Sequence, residues 1–143
     1  MANVLIVDDQ PCIRALLSEE LICEGYQVIS VGSAESLMGH LRSSHFDLVL
    51  LDLYLDGPDG FELLADVKRE YPNLPVLVVT AYDSFADDPR LSGAAGYVIK
   101  STDLGELKEK IADVLQSKRV RQVKVEDRSR ISQVGLVRAL QPQ

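Results

Sequence analysis

The sequence predicts an α/β domain, an open, doubly wound five-stranded parallel sheet with helices on both faces. Three observations carry that expectation. Five short runs rich in Val, Ile and Leu recur along the chain. They alternate with stretches of helical period. The runs are almost continuously apolar, as strands covered on both faces must be.

The first strand is Asn3–Val7. A helix follows, with Pro11 in its first turn, Ile13, Leu16, Leu17 and Leu21 on one side, and Gly25 at its C-terminal cap. The second strand is Gln27–Val31, and the second helix covers about Ala34 to Arg42. The third strand is Leu48–Leu51, and the third helix runs from about Phe61 to Tyr71, stopping before Pro72. The fourth strand is Val76–Val79. The stretch "YDSFADDPRLSG" after it holds Pro89 and three aspartates, so any helix there is short or irregular. Tyr97–Ile99 is the fifth strand. The last helix carries Leu104, Leu107, Ile111 and Leu115 at a period of three to four, with Asp103 and Glu106 placed like a capping box. Right-handed crossovers put every strand's carboxyl end on one edge of the sheet. In a flavodoxin-like order of 2-1-3-4-5, the ligand crevice lies along that edge.

Composition bounds the rest. A chain of 143 residues, 46% hydrophobic and 26% charged, fits one domain with a real core. No apolar run approaches the ~18 residues of a membrane span, and the N-terminus enters a strand with no basic region or cleavage site. Cys12 and Cys23, on one helix, are about 16 Å apart, too far for a disulfide, and lack metal-ligand spacing. They read as reduced thiols of a cytoplasmic protein. His40 and His45 read as surface residues. Charge is asymmetric. Residues 1–116 carry 8 Lys and Arg against 20 Asp and Glu, whereas residues 117–143 carry 7 against 2. This asymmetry predicts a main domain over 1–117 and a basic C-terminal extension over 118–143.

Chemistry gathers at the carboxyl edge. Asp8 and Asp9 follow the first strand, Asp52 the third, Thr80 the fourth and Lys100 the fifth. Three clustered carboxylates repel one another, and a hard divalent cation such as Mg²⁺ resolves the conflict. Lys100 adds a point charge and Thr80 a hydroxyl, which suits a transient phosphoryl group carried on a carboxylate. Asp52, central among the strands, is the best nucleophile. Each residue also has a plainer reading: Asp9 as a helix cap, Thr80 as a β-former, Lys100 as a solvated charge.

Together, Asp8-Asp9, Asp52, Thr80-Ala81 and Lys100 resemble the receiver domain of bacterial two-component response regulators. "DLYLDGPDG", with Asp59-Gly60, resembles the family's loop after the phosphoacceptor, and "GAAGYVIK" its pattern before the lysine. The resemblance covers residues 1 to about 117. It implies that Asp52 accepts a phosphoryl group from a histidine kinase or phosphotransfer protein. It implies Mg²⁺ bound by Asp9, Asp52 and the Tyr54 carbonyl, with Asp8 assisting. It also implies that Thr80 and Lys100 hold phosphoryl oxygens, and that Tyr97 is the aromatic whose burial follows Thr80. The expected role is a phosphorelay switch; beyond its own phosphotransfer and dephosphorylation it is not an enzyme.

The sequence departs from that pattern in places. Ser101 stands where the family has Pro joined by a cis bond. A cis bond before a non-proline residue costs roughly 2.5–4 kcal/mol, so either the loop is trans with Lys100 aimed differently or a strained bond is kept. Asp56 replaces a usual Pro, and Pro58 a usual apolar residue. Asp83–Arg90 is polar where the signalling face would include a fourth helix. These departures leave a second reading, a receiver-like scaffold that does not switch. A haloacid-dehalogenase-like phosphatase would need a second Asp where Tyr54 stands.

The extension is too short for a winged-helix output domain. Lys118, Arg119, Arg121, Lys124, Arg128 and Arg130 form a basic stretch, and Ile131, Val134, Val137 and Leu140 a rough stripe. It reads as a solvated tail or as a helix that packs on a partner. Nucleic-acid binding by this chain alone is disfavoured, since the stretch lacks aromatics and the body is acidic. Homodimerisation is expected through the fourth helix, fifth strand and fifth helix face, or through the tail.

Overall fold

A computed structural model describes residues 1–53, 60–81, 87–101 and 103–118. Five strands, β1 (Asn3–Val7), β2 (Gln27–Val31), β3 (Leu48–Leu51), β4 (Val76–Thr80) and β5 (Gly96–Ile99), form one sheet in the order β2-β1-β3-β4-β5. Every pairing is parallel. Register aligns the carboxyl ends: Val7 stands opposite both Val31 and Leu51, and Thr80 opposite Ile99.

Side chains alternate across a strand, and here both faces are covered. Leu5, Val7, Val49, Leu51, Val76 and Val78 pack with Leu37 and Leu41 of α2 (Ala34–Ser43) and Leu63, Leu64 and Val67 of α3 (Gly60–Glu70). Val4, Ile6, Leu48, Leu50, Leu77, Val79 and Val98 pack with Leu17 and Leu21 of α1 (Pro11–Cys23) and Leu107, Ile111 and Leu115 of a last helix over 105–118. Truncating one such buried leucine to alanine costs about 2–5 kcal/mol. No described helix is long and apolar enough to cross a membrane.

The ends of the elements follow local chemistry. Pro11 occupies the first turn of α1. At its other end, Gly25 has φ +97°, Tyr26 N–H reaches Leu21 O and Gly25 N–H reaches Ile22 O. That is a Schellman ending, which glycine adopts without steric cost. Ser33 Oγ caps α2 by accepting from Ser36 N–H. In the described part of the fourth connection, the chain makes only a 3₁₀ turn, Pro89–Leu91, capped by Asp88 and packed against α3 through Leu91.

Several expectations are corrected. Leu16 is 44% exposed and lies off the core face of α1, because it stands ~100° from Leu17 around the helix. β2 is not covered on both faces. It is an edge strand with Gln27 and Ile29 exposed, having a neighbour on one side only. The capping box before the last helix is only half made: Asp103 Oδ1 accepts from Gly105 N–H, but Asp103 N–H goes to Ser101 Oγ, not to Glu106. His45 does meet a carboxylate, since its Nε2 is 3.2 Å from Asp47 Oδ1, although the ring stays exposed. Lys118, first residue of the expected extension, is helical and lies 3.6 Å from Asp47. Residues 119–143, including the basic stretch beyond Lys118 and its apolar stripe, lie outside the described residues, as do 82–86.

Candidate functional site

The sheet ladder itself positions the site. Asp8 N–H donates to Val31 O at 3.1 Å, Asp52 N–H to Val7 O at 3.1 Å, and Lys100 N–H to Thr80 O at 2.6 Å. Each strand therefore continues its pairing one residue past its end, and three of the expected site residues have their backbones held by the sheet. Thr80 is the last residue of β4. Side chains on such rigid elements lose little precision to loop motion.

Asp8, Asp52 and Thr80 are the buried polar or charged residues of the described chain, at 2%, 5% and 0% exposure. Asp9 is half-buried in the turn into α1. One oxygen of each of Asp8, Asp9 and Asp52 lies within 4.8 Å of the others. The helix-cap reading of Asp9 is overturned. Gln10 is the N-cap and its side chain makes no cap bond, while Asp8 Oδ1 accepts Gln10 N–H at 2.9 Å.

Lys100 is not a solvated charge. Its Nζ lies 2.7 Å from Asp8 Oδ2 and 3.0 Å from Asp52 Oδ2. Burial by itself pushes the ammonium's pKa down, but the hydrogen bonds and charges of Asp8 and Asp52 outweigh it and the net shift is upward. Lys100 therefore stays protonated at neutral pH. The peptide to Ser101 is trans. A trans loop thus still delivers the ammonium to both carboxylates.

Three carboxylates against one ammonium leave two formal negative charges, which one divalent cation cancels. The donors are all oxygen, as a hard cation requires. Thr80 Oγ1 is fully buried with no hydrogen-bond partner among the described residues. An orphaned buried hydroxyl costs about 1–3 kcal/mol, and functional sites are where such a cost is retained. Tyr97, on the adjacent β5, is half-buried against the α2–α3 side of the core.

The loop after Asp52 begins under constraint. A Cβ on Gly60 would fall 2.5 Å from Leu53 Cα, so α3 starts against the residue next to Asp52 and only glycine fits there. Tyr54, whose carbonyl was expected in the metal set, lies outside the described residues, with Asp56, Pro58 and Asp59. One contributor escaped sequence reasoning: Arg14 Nη1 of α1 donates to Asp8 O at 2.7 Å. An arginine beside the apolar stripe of an amphipathic helix has the pattern of a solvent-facing residue, and spacing carries no signal to the contrary.

Comparison with known proteins agrees with this geometry. The family profile of the response regulator receiver domain matches residues 4–112. The response regulator protein FleR of Pseudomonas aeruginosa is 36% identical over 113 residues, 78% of this chain and 24% of that protein. The heme response regulator HssR of Staphylococcus epidermidis is 36% identical over 118 residues, 81% of this chain and 52% of that one. The chain thus spans about a quarter to a half of the curated relatives it matches. Among solved structures, the response regulator TrrA of Thermotoga maritima, in complex with Mg²⁺-BeF, superposes with a TM-score of 0.77 at 35% identity, covering 80% of this chain and 99% of that one. TrrA is also seen in complex with the histidine kinase ThkA, at a TM-score of 0.76, 36% identity and coverage of 80% and 99%. With the profile reaching from β1 into the last helix, relatives 36% identical and solved structures that superpose at TM-scores of 0.76 and 0.77, the chain belongs to the response regulator receiver domain family.

Proposed function

We propose that this receiver is a phosphorylation switch in which Asp52 takes a phosphoryl group from a phosphohistidine of a histidine kinase or phosphotransfer protein. The carboxylate attacks phosphorus, an O–P bond forms, the P–N bond breaks, and the imidazole leaves with its electron pair. The observation that carries this reading is the convergence of Asp8, Asp9 and Asp52 oxygens within 4.8 Å, with Lys100 bonded to two of them.

Asp8, Asp9 and Asp52, joined by the Tyr54 carbonyl, are the residues that would hold Mg²⁺. The cation supplies charge neutralisation, so that an anionic donor can approach carboxylates. Lys100 binds a phosphoryl oxygen and offsets its charge. Thr80 Oγ1 gains in one of the phosphoryl oxygens a partner it lacks among the described residues. Drawing Thr80 toward the phosphoryl group leaves room for Tyr97 to turn inward, and so alters the surface around β5 and the last helix. That surface, or the tail continuing from the helix, is where self-association or a partner would sense the change.

The test is intact-protein mass spectrometry after incubation with acetyl phosphate and Mg²⁺. Wild type gains one phosphoryl group; Asp52→Ala, and wild type in excess chelator, gain none. Labelling that persists in Asp52→Ala refutes the assignment of the phosphoacceptor, and labelling in chelator refutes the metal requirement.

A further inference from the structure

Gly32, between β2 and α2, has no backbone reason to be glycine, since Gly25 alone among the described residues has a positive φ. Its reason is space. A Cβ built on Gly32 would stand 2.9 Å from Arg14 Nη1 and 3.4 Å from Arg14 Cζ. The same Nη1 donates to Asp8 O at 2.7 Å. The guanidinium therefore lies over the bare backbone of Gly32 and reaches the peptide joining Asp8 to Asp9.

We infer that Arg14 and Gly32 form a paired positioning device for the metal-binding carboxylates, Arg14 orienting the Asp8–Asp9 peptide and Gly32 providing the space for it. The inference rests on the reading of Asp8 and Asp9 as Mg²⁺ ligands. The physical argument is short. A peptide is planar, so holding the Asp8 carbonyl fixes the plane from which the Asp9 Cα departs. Asp8 is already tied by its N–H to Val31 O, by Oδ1 to Gln10 N–H and by Oδ2 to Lys100. Its carbonyl is the remaining backbone polar group, and Arg14 takes it. Among the described residues Asp9 has no comparable tether of its own, so its carboxylate is placed through that peptide. The contact links α1 to the β2–α2 turn across the end of the sheet. Residues that orient metal ligands typically matter 10–100-fold in affinity.

Mg²⁺ titration by calorimetry, with thermal melts of the metal-free proteins, tests it on wild type, Arg14→Ala, Arg14→Lys, Gly32→Ala and the Arg14→Ala/Gly32→Ala double variant. We expect Arg14→Ala to bind Mg²⁺ about 10-fold more weakly with little change in the metal-free melt. Arg14→Lys should recover part, because an ammonium also donates to a carbonyl. Gly32→Ala displaces the flexible end of Arg14, so it should weaken Mg²⁺ when Arg14 is present and add nothing in the Arg14→Ala background. Wild-type affinity in Arg14→Ala overturns the inference, as does a Gly32→Ala effect of equal size in both backgrounds. Should Arg14→Ala fail to fold, Gly32→Ala decides: undiminished Mg²⁺ affinity overturns the pairing, and weakened affinity with an unchanged melt supports it. A wild-type protein that gives no Mg²⁺ signal overturns the metal site itself, and the inference with it.

Discussion

Lys100 sets its ammonium 3.0 Å from the Asp52 carboxylate, across 48 positions of sequence and the full width of β4. The pair is mostly buried, and the same nitrogen serves Asp8 at 2.7 Å. Lys100 is thus the counter-charge shared by the two buried carboxylates. Removing one partner of a buried ion pair is strongly destabilising, whereas the intact pair adds little. Lys100→Ala should lower the metal-free stability by about 1–3 kcal/mol, and Mg²⁺ should restore part of that loss. Acetyl phosphate labelling should stay depressed even in Mg²⁺. Urea melts with and without Mg²⁺ check both stability claims: no deficit without metal refutes the first, and an equal deficit in both refutes the restoration.

Thr80 behaves in the opposite sense. Its hydroxyl is buried and without a partner among the described residues, so a methyl group in its place removes a desolvation penalty. Thr80→Val should raise metal-free stability by about 1 kcal/mol while abolishing any phosphorylation-dependent change in Tyr97. A loss of more than about 1 kcal/mol in the melts would mean that Oγ1 is satisfied after all.

Mg²⁺ alone should stabilise the wild-type protein. A ligand that binds only the folded state contributes about 2.7 kcal/mol at 100 times its dissociation constant. Thermal melts in millimolar Mg²⁺ should therefore shift upward, and Asp9→Ala should erase the shift. Identical melts with and without the metal favour the reading of a scaffold that does not switch.

Asp47 supplies the pH dependence. Burial raises its pKa, but Asn3 N–H, Lys118 and His45 outweigh that, and the net shift is downward from the ordinary carboxylate value. In the unfolded chain Asp47 takes a proton near pH ~3.9. Its contribution is therefore complete above that value and is lost as pH falls through the lower native pKa. The stability gap between wild type and Asp47→Asn should still be present at about pH 5 and shrink below about pH 4. Denaturant melts from pH 2.5 upward measure it, and a gap that persists unchanged at the acid end contradicts the assignment.

If the signal leaves through β5 and the last helix, light scattering should register it. Beryllofluoride-treated and untreated protein, full length and truncated after Lys118, make four samples. A mass change on treatment that depends on residues 119–143 assigns self-association to the tail, and one independent of them assigns it to the β5 face. The acidic body and basic tail make salt a further variable, since exposed charges are screened within ~10 Å at 0.1 M. No change in any sample removes self-association as the output.

How much of this was legible in the chain differs by element. β3 and β4 could be read directly because both their faces are buried, and a continuous apolar run in sequence is continuous burial in space. β2 read like them yet is half-exposed, because a strand's position in the sheet is not written in its own residues. Leu16 was misassigned for a related reason: a helix with four apolar residues on roughly one side has a choice of seam, and the sheet chose Leu17 and Leu21.

The sequence by itself determined the alternation of strands and helices, and with it the parallel sheet whose right-handed crossovers bring Asp8, Asp9, Asp52, Thr80 and Lys100 to one edge. That follows from local periodicity and the handedness of L-residues, which need no partner to act. Tertiary structure decided what those residues do to one another. Lys100 had either to reach the carboxylates or to face water, and strand register together with a trans peptide to Ser101 sent it 2.7 Å from Asp8 and 3.0 Å from Asp52. Asp9 does not cap α1 because the helix starts one residue later, with Gln10 in the N-cap position. Arg14 joined the site only because the β2–α2 turn presents a residue without a Cβ beneath it. The Lys100 contacts and the approach of Arg14 to Gly32 join separate segments of the chain, fixed by packing and register, and periodicity within one segment carries no record of them.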